Sequence, residues 1–176
     1  HDRDDDIGCR RHGGRTLGEI DLLLRDGEGV HHLELAIKLY LGPAEGDRHL
    51  LANWRGAGRA DNLQRKLQHL TRQQLALSSS PAAQEVLGGF VTTPLQAALW
   101  MSGYLFYPWP GSCDAPTGSH PQHARGHWLQ QQDWPAYLAA STAQHWQPLP
   151  RDCRLAALRF DQGQCWTPAQ LQRWQN

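Results

Sequence analysis

Long apolar runs are missing from this 176-residue chain. No stretch of roughly 18 apolar residues occurs, so no membrane-spanning helix is expected, and no signal-peptide pattern opens the sequence. Net charge is missing as well. The 17 Lys and Arg balance the 17 Asp and Glu, which counts against a general nucleic-acid coat. Cysteine is scarce and scattered, at Cys9, Cys113, Cys153 and Cys165, with no Cys-x-x-Cys pair. That spacing fits reduced thiols in the cytoplasm better than a disulfide framework or a zinc knot. No internal repeat is visible, and the length suits one domain with a real core. The chain opens at His1 without a methionine and close to a strand, and reads as lacking natural N-terminal residues.

What is present is a pair of strand-like stretches, Gly18–Leu24 and Leu33–Leu39. Each alternates apolar residues with others, the period-2 signature of a strand with one buried face. Ile20, Leu22, Leu24, Leu33, Leu35, Ile37 and Leu39 are expected to face a core. The opposite faces carry Glu19 and Asp21, then Glu34, Ala36 and Lys38. A two-residue loop at Gly27-Glu28, with Gly first, suits a type II′ turn. Asp26 then pairs with Gly29, and counting outward sets Asp21 opposite Glu34. Cross-strand neighbours on one face sit about 5 Å apart at Cβ, close enough for two carboxylates to need a cation between them. An Asp26-Gly27 turn would shift the partner and keep the acids on one side. A three-residue loop would part them unless a bulge restored the parity.

Two carboxylates suit a hard cation, Mg²⁺ or Mn²⁺. With a nearby lysine they make a set suited to phosphodiester hydrolysis. The competing reading is a solvent-facing sheet edge with ordinary charges. Against it, the acids interrupt otherwise apolar strands, where unpaired charge is costly.

Asp21, Glu34 thirteen positions later and a lysine on the same strand resemble the PD-(D/E)XK nuclease superfamily. Further stretches are similar to a bacterial domain-of-unknown-function family, eighteen-fifty-three. They are Gly14–Asp21, Glu34–Gly42, Lys66–Gln74, Gly103–Pro108 and Arg125–Leu129. The resemblance implies an α/β (α+β) fold with a restriction-endonuclease-like α-β-β-β-α-β core, a central mixed sheet flanked by helices, whose first helix would precede this chain. It implies metal binding by Asp21, Glu34 and the carbonyl of Leu35, catalysis by Lys38 with Glu19 nearby, and a nucleic-acid partner. The superfamily's lysine usually stands two residues after the glutamate, where this chain has Ala36. Lys38 lies one strand repeat further, about 6.6 Å along the same face. Lys38 on its long stem, Lys66 or a glutamine of the next helix could fill the role, or activity could be lost.

Further along, residues 42–58 read as a long loop over the acidic face. Asp61–Leu77 reads as a helix, with Asp61 as N-cap and Leu63, Leu67, Leu70 and Leu77 on one stripe. Gln74 shares that stripe and needs a partner, either a backbone carbonyl or the metal site. Lys66 and Gln73 occupy a neighbouring face. Arg48, Arg55, Arg59, Arg65, Lys66 and Arg72 form a basic zone with Asp61 as its one counter-charge. That zone would hold a phosphate backbone or form a solvated helix face. Met101–Tyr107 is expected as the fourth core strand, 109–127 as a loop, Trp128 as part of another strand, 134–143 as a short helix and Leu155–Phe160 as a strand. Thr167 caps a last helix with Pro168 at its first position. The nuclease-like core is thus set at 1–108 and a C-terminal extension at 128–176. His120, His123 and His127 with Cys113 could hold zinc, but loop histidines are usually just solvated. The eight tryptophans are dispersed and read as packing residues.

Overall fold

The computed structural model describes residues 18–56, 58, 60–88, 91, 95–111, 113–143, 145–149 and 165–174. The expected strand at Leu155–Phe160, together with Cys9, Cys153 and Arg59, lies outside them.

Strands β1 (Leu22–Asp26) and β2 (Gly29–Leu41) form the antiparallel hairpin. Asp26 pairs with Gly29, Arg25 with Val30 and Leu22 with Leu33, the register that a two-residue loop dictates. The turn type differs from the expected II′, which needs positive φ at its first central residue. Positive φ falls at Gly29 (138°) instead of Gly27. The Asp26 carboxylate closes the turn, accepting from the N–H groups of Glu28 at 2.8 Å and Gly29 at 3.1 Å. An Asx side chain bonding the backbone two residues on is a turn former in its own right.

The hairpin opens into a five-stranded mixed sheet of order β1-β2-β4-β5. The other strands are β3 (Arg55–Gly56), β4 (Gln96–Pro108) and β5 (Ala124–Trp128). β4 runs parallel to β2 from His31↔Gln96 to Leu41↔Phe106, and so begins at Gln96 rather than Met101. β5 adds in parallel to β4, starting inside the stretch read as a loop. β1 and β3 share one edge of β2, pairing with its opposite ends. The architecture is α+β, with helices against a mixed sheet.

The helices are α1 (Leu63–His69), continued by a π-helical turn at Leu70–Gln74 and by α2 (Leu75–Leu77), then α3 (Pro81–Leu87), α4 (Trp134–Ala140) and α5 (Pro168–Trp174). Asn62, not Asp61, caps α1, its side chain accepting from Arg65 N–H at 2.9 Å. Asp61 instead accepts from the Tyr40 hydroxyl at 3.2 Å. Ser78-Ser79-Ser80 ends α2, and Ser80 caps α3 ahead of Pro81, where the missing proline N–H costs nothing. Thr167 and Gln170 cap α5 reciprocally, Thr167 N–H donating to Gln170 Oε1 at 2.8 Å and Gln170 N–H to Thr167 Oγ1 at 3.3 Å.

The faces of the hairpin are the reverse of the expectation. On β2 the buried residues are Val30, His32, Glu34, Ala36 and Tyr40. The leucine-rich face is the open one: Leu22 is 41% exposed, Leu24 46%, Leu35 46% and Ile37 55%. Ladder partners share a face, so Trp100 beside Leu35 and Tyr104 beside Leu39 join it, 66% and 42% exposed. The helices explain the choice. α1 to α3 lie on the His32–Tyr40 side, where Leu63, Leu70, Leu77, Ala83 and Leu87 are buried. The small Ala36 lets helix and sheet approach closely there. A bend at Asp21 switches the alternation, so Ile20 joins Leu77, Ala83 and Leu87 in one core cluster while Leu22 stays on the open side.

A second cluster holds Tyr40, Trp54, Leu63, Tyr107 and Cys113. Trp54 is fully buried and its indole N–H donates to Arg48 O at 2.9 Å. Trp54, from the segment read as a loop over the acidic face, thus packs at the Tyr40 end of that face, six residues along β2 from Glu34.

Candidate functional site

Each candidate residue can be traced from its element. Asp21 sits at the bend that precedes β1, exposed, and the β1–β2 ladder stops one pair short of it. Its Cα is not laddered to Glu34 as the count from the turn suggested. Its carboxylate does the strand's work instead, with Oδ2 accepting from Leu35 N–H at 2.8 Å. In a strand the N–H and C=O of one residue leave by the same edge, so the Leu35 carbonyl projects toward the Asp21 side.

Glu34 is only 1% exposed. It faces the helices, and its two oxygens are treated differently. Oε1 lies 2.8 Å from His32 Nε2. Among the described residues Oε2 has only the Gln74 amide at 3.4 Å, a long hydrogen bond. Gln74 thus turns to the carboxylate rather than to a backbone carbonyl. It leaves the π-helical turn to do so, a local widening often found where a helix meets a functional group.

His32 and Ser78 were not singled out in the sequence. His32 is fully buried, and Ser78 is 2% exposed. His32 Nδ1 lies 2.9 Å from Ser78 Oγ, and Ser78 Oγ lies 3.4 Å from Leu75 O. One signal was available: His32 stands two residues before Glu34, which on a strand puts both on one face. Ser78 carried no such signal.

The remaining candidates are dispersed. Lys38 is half-buried on the face of Glu34, four residues on, or about 13 Å along the strand. It lines a cavity of about 600 Å³ with Tyr40, Leu63, Leu67, Met101 and His120. Glu19 is exposed ahead of β1. Lys66 is half-buried on α1 and Gln73 exposed on the π-helical turn. Arg55, Arg65 and Arg72 are exposed, with Arg65 Nη1 donating to Ala60 O at 3.1 Å. Asp61, the one acid of this basic zone, is engaged by Tyr40.

Of the histidines near β5, His120 and His127 are exposed and His123 is half-buried. His123 lies 2.7 Å from the Tyr107 hydroxyl through Nε2 and 2.7 Å from His120 O through Nδ1. Cys113 is a buried free thiol in the Trp54 cluster. Burial pushes its pKa up, partly offset by Arg48 and Arg125. Among the described residues no group of three or more His, Cys, Asp or Glu side chains is placed to hold a metal ion. Among them, too, no helix is long and apolar enough to cross a membrane.

Fold and site together define an α+β protein whose central hairpin carries a buried glutamate, an exposed aspartate and a polar chain reaching into the helical layer. A family model described as a domain of unknown function (DUF1853) matches residues 8–176. The chain belongs to that family. No curated protein and no solved structure matches it.

Proposed function

We propose that the chain is a divalent-metal-dependent nuclease domain of the PD-(D/E)XK type, hydrolysing phosphodiester bonds in nucleic acid. The observation that carries this reading is the docking of Asp21 on Leu35 N–H, which sets its carboxylate beside the residue that follows Glu34. A hairpin bearing Asp then Glu, a helical crossover and a parallel strand beside the second hairpin strand is the order that the superfamily's core calls for.

The donor set fits a hard cation. Among the described residues Asp21 Oδ1 has no hydrogen bond and Glu34 Oε2 has a weak one, and hard cations favour such oxygens with a carbonyl as third ligand. Asp21, Glu34 and Leu35 O would hold Mg²⁺ or Mn²⁺, which when bound supplies charge neutralisation at phosphate and activates water. The chain's own groups do the rest. Asp21 and Glu34 would fix where that cation sits relative to β2. Lys38, on the same face, offers a flexible ammonium to the phosphate oxygens. Lys66 and the exposed Arg65 and Arg72 hold the backbone beyond it, which makes binding fall with salt. Gln73 and Arg59 extend that contact. The buried free thiol at Cys113 suits a cytoplasmic setting.

One observation favours a second reading, a catalytically silent module that binds nucleic acid or protein. Glu34 is 1% exposed, and Lys38 faces a separate cavity.

A cleavage assay on single- and double-stranded DNA and RNA, with Mg²⁺ and Mn²⁺, separates the two. Cleavage that needs metal and is lost in both Asp21→Asn and Glu34→Gln is the expected result. Metal-independent cleavage, or cleavage that survives both substitutions, overturns the nuclease site. No cleavage by the wild type moves the protein to the silent reading.

A further inference from the structure

The chain Leu75 O, Ser78 Oγ, His32, Glu34, Gln74 is continuous, with its central three side chains at most 2% exposed. A serine, a histidine and an acid in hydrogen-bond sequence also describe a nucleophilic triad. Burial decides against that. A serine hydroxyl 2% exposed has no approach for an organic substrate, whereas Glu34, 1% exposed, needs to admit only a single ion at Oε2.

A carboxylate that holds a cation only accepts, so at the Glu34 end of the relay His32 Nε2 is then the donor, at 2.8 Å. Nδ1 then accepts from the Ser78 hydroxyl, or donates to its oxygen while that hydroxyl turns to Leu75 O at 3.4 Å. Either arrangement locks the imidazole plane. Either also leaves Glu34 Oε1 occupied and Oε2 the oxygen without a strong partner.

Resting on the metal-site reading above, the geometry points to His32 as a positioning residue. It holds Glu34 by Oε1 so that Oε2 alone is presented to the cation, and Ser78 holds the imidazole in turn. Partners of this kind typically change metal affinity by about 10- to 100-fold when removed. Without His32 the carboxylate could swing, and the ordered single-oxygen contact would be lost.

The test measures Mn²⁺ affinity of the full chain from the free-ion electron paramagnetic resonance signal, with thermal stability recorded on the metal-free protein. His32→Leu removes the donor. His32→Gln keeps an N–H near the place of Nε2. Ser78→Ala loosens the imidazole and is the milder change should His32→Leu fail to fold. The expected results are a 10- to 100-fold weaker Kd for His32→Leu, about tenfold for Ser78→Ala, and near wild-type affinity for His32→Gln. A purely structural role would lower the melting temperature of these variants and leave their Kd values alike. Wild-type affinity in Ser78→Ala together with His32→Leu overturns the inference alone, as does a loss in His32→Gln equal to that in His32→Leu. Wild-type protein that binds no Mn²⁺, or binds it equally after Glu34→Gln, overturns the metal site and the inference with it.

Discussion

At Gly103 the backbone of β2 leaves no room for a side chain on β4, and Gly103→Ala is a sharp test of that register. Gly103 pairs with Lys38 and has φ of 133°, a region that side chains other than glycine rarely enter. A Cβ there would overlap the carbonyl oxygen of Lys38 and stand 2.8 Å from its carbon and 2.9 Å from its nitrogen. All three are backbone atoms and cannot swing aside. The backbone strain costs about 1–3 kcal/mol. Separating the strands weakens the two flanking ladder bonds, each worth about 1 kcal/mol. Restricting the unfolded chain returns about 0.4–1 kcal/mol. The net loss is about 3 kcal/mol, or roughly 6–12 °C in Tm for a chain of this size. Gly126→Ala is the internal control. Its Cβ would meet the Phe106 ring at 2.6 Å, a side chain able to rotate away, so a loss nearer 1 kcal/mol is expected. Urea unfolding of both variants measures the difference. A loss under about 1 kcal/mol for Gly103→Ala would refute the register at the Lys38 step.

Two other outcomes follow from burial. Ala36→Asp sets a charge on the helix-covered face at a site 7% exposed, whereas Ile37→Asp changes a side chain 55% exposed. The first should cost about 3 kcal/mol or more and the second about 1 or less by chemical denaturation, and the opposite order would mean that the faces are assigned the wrong way round. At alkaline pH, burial first and the Asp61 charge second hold the Tyr40 hydroxyl well above its ordinary 10.0, and burial raises Tyr107 as well. The folded chain therefore keeps protons that the unfolded chain loses, so the two tyrosines should leave stability unchanged below pH 10 and lower it above. Tyr40→Phe should flatten that fall in a pH series of melting temperatures, and an unchanged slope would remove Tyr40 as its source.

The hairpin and its register were legible because a two-residue loop fixes the pairing count, and the stripe of Leu63, Leu70 and Leu77 because helical periodicity repeats in the sequence. Which face of the hairpin is covered was not legible. Alternation marks two faces, and the apolar one is the natural choice for a core. The deciding partners of the polar face are Gln74 and Ser78, forty and forty-six residues beyond Glu34 and His32. Their approach depends on the path of the crossover, which no local pattern encodes. For the same reason the bend that sends the Asp21 carboxylate to Leu35 N–H, and the burial of Glu34, were not legible.

The parallel pairing of β2 with β4 also sets an order in time. Lys38 waits for Gly103, sixty-five residues later in the chain. At about 5–20 residues per second on the ribosome, β1 and β2 exist for several seconds before β4 has been synthesised. During that interval the hairpin can close, being local, while one edge of β2 stays unpaired. Long-range parallel pairing is the slow step of such a topology. β2 thus gains its second edge only after the whole helical crossover has been made.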